Sequence, residues 1–109
     1  IAQSTQEYIY NCNNTNENTL KIDSSAEMYP YIKLTGTGEV KLTINNKICT
    51  VTIDDEYIEL DSELQNAYKG VKNKNDKMNG EFPILIPGNN KIQITGNATM
   101  QIKYRKAYI

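Results

Sequence analysis

The chain has 109 residues, with 12 Lys and Arg against 13 Asp and Glu, a net charge of −1 and no histidine. That length supports one domain around one core, and the balanced charge provides no general basic field for nucleic acid or anionic lipid. The missing imidazole excludes a His-based triad, a histidine general base and an ordinary zinc site.

No apolar run approaches the roughly 18 residues of a membrane span, and the N-terminus lacks a basic-then-apolar leader pattern. The sequence opens on Ile1 in place of Met, which predicts a preceding segment in the parent protein. Residues 1–7 are polar and irregular, as a linker into a domain would be. Residues 7–12 then alternate, with Tyr8 and Tyr10 on one face and Ile9 between them, and predict a strand. Residues 11–18 are almost all Asn, Thr and Glu and predict a solvated loop. A second strand is predicted over 19–23, with Leu20 and Ile22 inward. Asn13-Asn14-Thr15 and Asn97-Ala98-Thr99 match a glycosylation pattern, close to chance in an Asn-rich chain.

From Ser24 onward the pattern turns strongly β. Residues 29–35 are extended apart from Pro30, and Gly36-Thr37-Gly38 predicts a bend. Residues 39–45 alternate, with Val40, Leu42 and Ile44 on one face. Asn45-Asn46 fits a hairpin turn, because Asn tolerates positive φ. The return strand over 47–53 places Cys49, Val51 and Ile53 inward, and Asp54-Asp55 leads into a strand over 57–61. In residues 62–70, Leu64, Ala67 and Tyr68 sit at helical spacing, yet Gly70 ends the segment after barely two turns.

The Lys72–Lys77 run is basic and polar without an interleaved aromatic. It lacks the stacking platforms of a single-strand nucleic-acid site and predicts a hairpin tip. Lys72, Asn73, Lys74, Asn75 and Lys77 are the candidate partner contacts. Gly80 to Asn90 predicts a short edge strand, since Pro83 and Pro87 cannot donate to a ladder. Pro87-Gly88-Asn89-Asn90 is a turn, because Pro presets the first angle and Gly takes positive φ. Phe82, Pro83, Pro87 and Gly88 are therefore structural candidates, with Phe82, the single Phe of the chain, expected to anchor the core. Residues 91–95 and 100–104 predict a final hairpin about Gly96-Asn97, with Ile92, Ile94, Met100, Ile102 and Tyr104 inward. Turn signals every eight to twelve residues or so indicate an all-β antiparallel sandwich.

The acidic residues Asp54, Asp55, Glu56, Glu59, Asp61 and Glu63 fit a solvated strand face, with a calcium site or a carboxylate pair as alternatives. Cys12 and Cys49 are too few for a disulfide framework and read as reduced, half-buried thiols, with one bridge as the alternative. Strand tyrosines such as Tyr57 and Tyr104 read as core or half-buried rather than as ligand platforms.

The order Asn73-Lys74-Asn75, Met78, Gly80, Phe82-Pro83, Pro87-Gly88, Asn90, Ile92 resembles the C-terminal domain of the distal tail proteins of long-tailed bacteriophages and prophages. Residues 32–38 and 42–46 fit the same family, so the resemblance covers about residues 20–102. It implies a galectin-like jelly roll and a strand within 62–70. It also implies a non-enzymatic virion part without a cofactor, assembled in the bacterial cytoplasm. The full protein would form a hexameric ring through a preceding domain, joining the tail tube to baseplate or tail-tip proteins. This domain would be monomeric or weakly associated, with neither nucleic acid nor membrane as partner. Lys103-Tyr104-Arg105-Lys106 departs from the Pro-Arg-Trp-Arg-like close of related chains. The other reading is a galectin-like module for cell-surface glycans. It lacks Trp, His and the residue pattern of sugar-binding galectins, so a Tyr is the available platform.

Overall fold

Apolar side chains at every second residue build nine strands in the computed structural model, which describes residues 2–12 and 18–108. They are β1 (Ala2–Cys12), β2 (Asn18–Ile22), β3 (Tyr31–Ile44), β4 (Lys47–Ile53), β5 (Tyr57–Asp61), β6 (Asn66–Lys69), β7 (Lys72–Asn73), β8 (Met78–Gly80) and β9 (Gly88–Tyr108). A 3-10 turn, Asn75–Lys77, separates β7 from β8. Every pairing is antiparallel, in one sheet. No helix among the described residues is long and apolar enough to cross a membrane.

β3 and β9 are each longer than the sequence predicts. The bend at Gly36-Thr37-Gly38 does not end a strand, and Gly96-Asn97 is not a hairpin tip. Instead β3 and β9 pair with each other through both points. Thr37 pairs with Asn97 and Lys41 with Thr95, so Gly38, Glu39 and Val40 lie opposite Gly96 alone. This bulge adds two residues to β3. An even insertion keeps the face alternation intact, so Ile32, Leu34, Val40, Leu42 and Ile44 all point inward, as do Ile92, Ile94, Met100 and Ile102.

Two glycines make the bend possible. Gly96 stands at φ +127, open to glycine and costly for other residues, and Gly36 packs so closely that an added Cβ would lie 2.0 Å from the Asn97 carbonyl oxygen.

The bend divides the sheet into two halves. One consists of β1, the C-terminal part of β9, the N-terminal part of β3, β5, β6 and β7; the other of β2, the rest of β9 and β3, β4 and β8. Their inward faces meet in one apolar cluster that includes Leu34, Leu60 and Met100 from the first half and Leu42, Val51 and Ile92 from the second. The result is a β-sandwich made from one folded sheet, 21 Å across its shortest dimension, consistent with two layers about 10 Å apart and their outer side chains.

Other expectations shift. β1 begins at Ala2, paired with Tyr108, so the polar segment over 1–7 is mostly strand and not linker. The loop predicted over 11–18 and Asn13-Asn14-Thr15 fall largely outside the described residues, while Asn11 and Asn18 belong to β1 and β2. The strand expected within 62–70 is present as β6, after a turn over 62–65. Residues 81–87 are irregular, joined to the sheet by a two-way bridge between Met28 and Leu85, with N···O distances of 2.8 and 2.9 Å. The predicted edge strand is thus reduced to Leu85, and the Pro87-Gly88 turn opens β9 rather than closing a strand. Phe82 is half-buried against the edge of the core and not at its centre; Pro83 is buried. Cys12 and Cys49 form no disulfide and are fully buried, deeper than predicted.

Asn90 is buried at 0% exposure and saturated with hydrogen bonds. Its Oδ1 accepts from Asn45 Nδ2 (2.7 Å) and the Ile86 amide (2.8 Å). Its Nδ2 donates to the carbonyls of Ile86 (2.9 Å), Leu20 (3.2 Å) and Gly88 (3.3 Å). One side chain thereby ties β2, the 45–46 turn and the irregular 81–87 segment to the start of β9.

Two substitutions test this frame. Gly36→Ala should destabilise by about 1–3 kcal/mol or block folding, since its Cβ overlaps fixed backbone, while Thr37→Ala on the exposed side stays within about 0.5 kcal/mol; urea denaturation compares them. Asn90→Leu should cost about 2–4 kcal/mol, because several buried groups lose their partner together, read as a drop in melting temperature.

Candidate functional site

The first half of the sheet carries the chemically varied surface. At one end its loops bring the acidic and basic runs together. Lys74 Nζ lies 3.1 and 3.4 Å from the two Asp54 carboxylate oxygens, Lys77 Nζ 3.8 Å from Asp54, and Lys69 Nζ 3.1 Å from Asp55. Backbone and amide contacts fix the same loop. The Lys74 amide donates to the Ala67 carbonyl, and Asn75 Oδ1 accepts from the Ala67 amide at 2.6 Å. Asn73 Oδ1 accepts from the Asn75 amide at 2.8 Å.

Of the five candidate contacts, Asn73, Lys74, Asn75 and Lys77 are therefore engaged in holding the loop to the sheet. The Lys74 hydrogen bond holds the Asp54 carboxyl below its usual range. These are exposed pairs, each worth little individually; together with the amide contacts they define a latch. Lys72 lies on the exposed β7 strand, beside Val71.

The acidic residues do not share one role. Ile58 and Leu60 are buried as the alternation predicts, but Glu59 on the opposite face is half-buried rather than solvated. It accepts from the Tyr31 hydroxyl at 2.5 Å and from the Gly70 amide at 2.8 Å. Asp61 Oδ1 accepts from the Leu64 amide at 3.1 Å, closing the 61–64 turn. Among the described residues no three Cys, Asp or Glu side chains stand close enough together to hold a metal ion.

Around Glu59 the outer face is a set of rings and ammonium groups. Lys33 and Lys69 stand 4.4 and 4.7 Å from the Tyr57 ring centre, and Lys103 stands 5.6 Å from that of Tyr31, within cation–π range. Tyr8 stacks on Tyr104 at 5.5 Å. Two hollows flank Leu64. One, of about 270 Å³, is lined by Tyr29, Tyr31, Asp61, Glu63, Lys103 and their neighbours; the other, of about 320 Å³, by Tyr68, Val71, Lys72 and theirs. Leu64 is 64% exposed and Val71 fully exposed.

Sequence reasoning missed Tyr29, Leu64 and Val71. The available signal was position: both aliphatic residues lie in the turns flanking β6, outside the alternation that buries the others.

No protein-family model, curated protein or solved structure matches the chain.

Burial shifts several groups in one direction. It raises Tyr31, helped by the hydrogen bond to Glu59, and Tyr68, helped by the charges of Asp61 and Glu59. It pushes the Cys49 thiol up to about 11 from 9.0. A folded-state pKa above the unfolded value for an acid means the charged form is penalised in the fold. Stability is then intact below the unfolded pKa and lost as pH rises towards the folded one. The urea midpoint should hold to pH 9 and fall between pH 9 and 11, with Cys49 alone accounting for about 2 kcal/mol. Cys49→Ala should flatten the first part of that fall.

Proposed function

We propose that this sandwich is a non-enzymatic structural component of a phage or prophage tail. It is the C-terminal domain of a distal tail protein, joining the tail tube to baseplate or tail-tip proteins through a protein docking surface. The residues that carry the resemblance serve the frame. Lys74 and Asn75 form the latch, Gly80 passes so close to Ile48 that a Cβ would lie 2.4 Å from its carbonyl oxygen, Pro83 is buried, and Asn90 is the buried clamp. A domain whose distinctive residues are spent on shape fits an adaptor better than a catalyst.

The observation that carries the docking role is the pair Leu64 and Val71, both exposed and lining the same hollow. Protruding apolar side chains held on a rigid frame and rimmed by polar groups are the usual core of a protein contact. The latch supplies the rigidity and Lys72 is part of the rim. In this reading the hexameric ring belongs to the preceding domain, the sandwich is monomeric, and the protein acts in the virion.

Affinity capture from an induced-prophage lysate, with the bound proteins identified, tests the proposal. Tail-tip or baseplate proteins should be retained, and Leu64→Asp with Val71→Asp should lower retention on the order of tenfold at unchanged melting temperature. Absence of tail proteins from the retained fraction would overturn the assignment. Retention indifferent to both substitutions would place the docking surface elsewhere.

A further inference from the structure

Asn79-Gly80 is the single Asn-Gly step of the chain, and the fold leaves both residues exposed on β8, a three-residue strand that pairs with β4 alone. The Ile48 carbonyl faces β8 and accepts from the Glu81 amide at 3.4 Å. Bonded and non-bonded pairs alternate in an antiparallel ladder, so Thr50 with Asn79 is the next bonded pair and Cys49 with Gly80, between them, is non-bonded. The Gly80 N–H therefore points away from β4, on the side where β8 has no neighbouring strand. The Asn79 side-chain amide makes no hydrogen bond among the described residues.

The frame also requires glycine at this place. Gly80 stands at φ +107, and a Cβ there would lie 2.4 Å from the Ile48 carbonyl oxygen. No side chain that would shield the amide is admitted after Asn79. An unshielded, unbonded amide next to an asparagine carboxamide is the arrangement from which a five-membered ring closes. We propose that Asn79 is a site of spontaneous deamidation through a succinimide.

The Gly80 nitrogen gives its proton to water and bonds to Asn79 Cγ; the Cγ–Nδ2 bond breaks, and Nδ2 takes a proton and leaves as ammonia. Water then opens the ring at either carbonyl and leaves aspartate or isoaspartate. One water is consumed, one ammonia is released and nothing is oxidised. Ring closure needs Asn79 turned out of extended geometry, so β8 must lift from β4. For three residues at a sheet edge that opening is local and does not require global unfolding. The product adds one negative charge, two residues from Glu81, to a chain of net charge −1. In the isoaspartate the carbonyl facing Thr50 leaves the main chain, and β8 loses its register on β4.

This modification goes beyond the adaptor reading and does not depend on it. The test incubates the intact domain and the free peptide of residues 77–82 side by side at mildly alkaline pH. Peptide mapping by mass spectrometry locates the change from amide to acid, and methyl transfer by a protein isoaspartyl methyltransferase reads isoaspartate. Asn79 in the domain should convert within about tenfold of the peptide's rate, and at least about tenfold faster than any other asparagine, because only β8 has to open. Asn79→Gln, which would have to close a larger ring, should remove the signal at position 79 and, being exposed, melt with the parent. Asn79 left intact while the peptide converts would overturn the proposal, as would conversion spread equally over other asparagines.

Discussion

The antiparallel pairing of β3 with β9 is the interaction on which the other strands depend. β1 and β2 hydrogen-bond to β9, and β4 and β5 to β3; β6, β7 and β8 attach through those. The pair crosses from one layer to the other and buries alternate side chains of each strand on both sides of the bend. The two-residue bulge opposite Gly96 makes that possible. A one-residue bulge would turn Val40, Leu42 and Ile44 to solvent beyond the bend. The partners are 48 to 72 residues apart in the chain, from Ile44 with Ile92 to Tyr31 with Lys103. Such a pairing carries a large loop-closure entropy and places the molecule among slow, topology-limited folders.

Polar groups secure what the central pair cannot reach. Asn90 draws the irregular 81–87 segment and the 45–46 turn onto β9, and Asp54 with its lysines draws the 72–77 loop onto the first half. One lies at 0% exposure and is fully satisfied; the other is exposed and screened by solvent. They differ accordingly in consequence: the buried amide is part of the core's integrity, while the latch sets how rigidly the Leu64 and Val71 tip is held.

Strand identity was legible in the sequence wherever alternation buries every second residue, as in β4 and β5. Strand continuity was not. Gly36-Thr37-Gly38 and Gly96-Asn97 carry the same signals in a hairpin turn as in a bulge, because both need glycine's angles. Only the partner opposite decides between them. Residues 1–7 read as linker because their composition is polar; pairing of Ala2 and Gln3 with Tyr108 and Ala107, and of Glu7 with Arg105, brings the described part into β1. At the surface, the acidic run at 54–55 and the basic run at 72–77 were each visible, but their mutual neutralisation arises from topology, which brings residues about twenty apart into contact. Tyr29 and Asp61 lie on different segments, and no spacing rule joins them into a cleft.

The most direct test of the central claim is native-state hydrogen exchange of the amides of β3 and β9. If the pair acts as one element across the bend, Leu34 and Ile102 in the first half should exchange at the same free energy as Leu42 and Ile94 in the second, all through global unfolding. Two distinct free energies, one for each side of Gly36 and Gly96, would show that the halves open independently and that the continuous pair does not govern the fold.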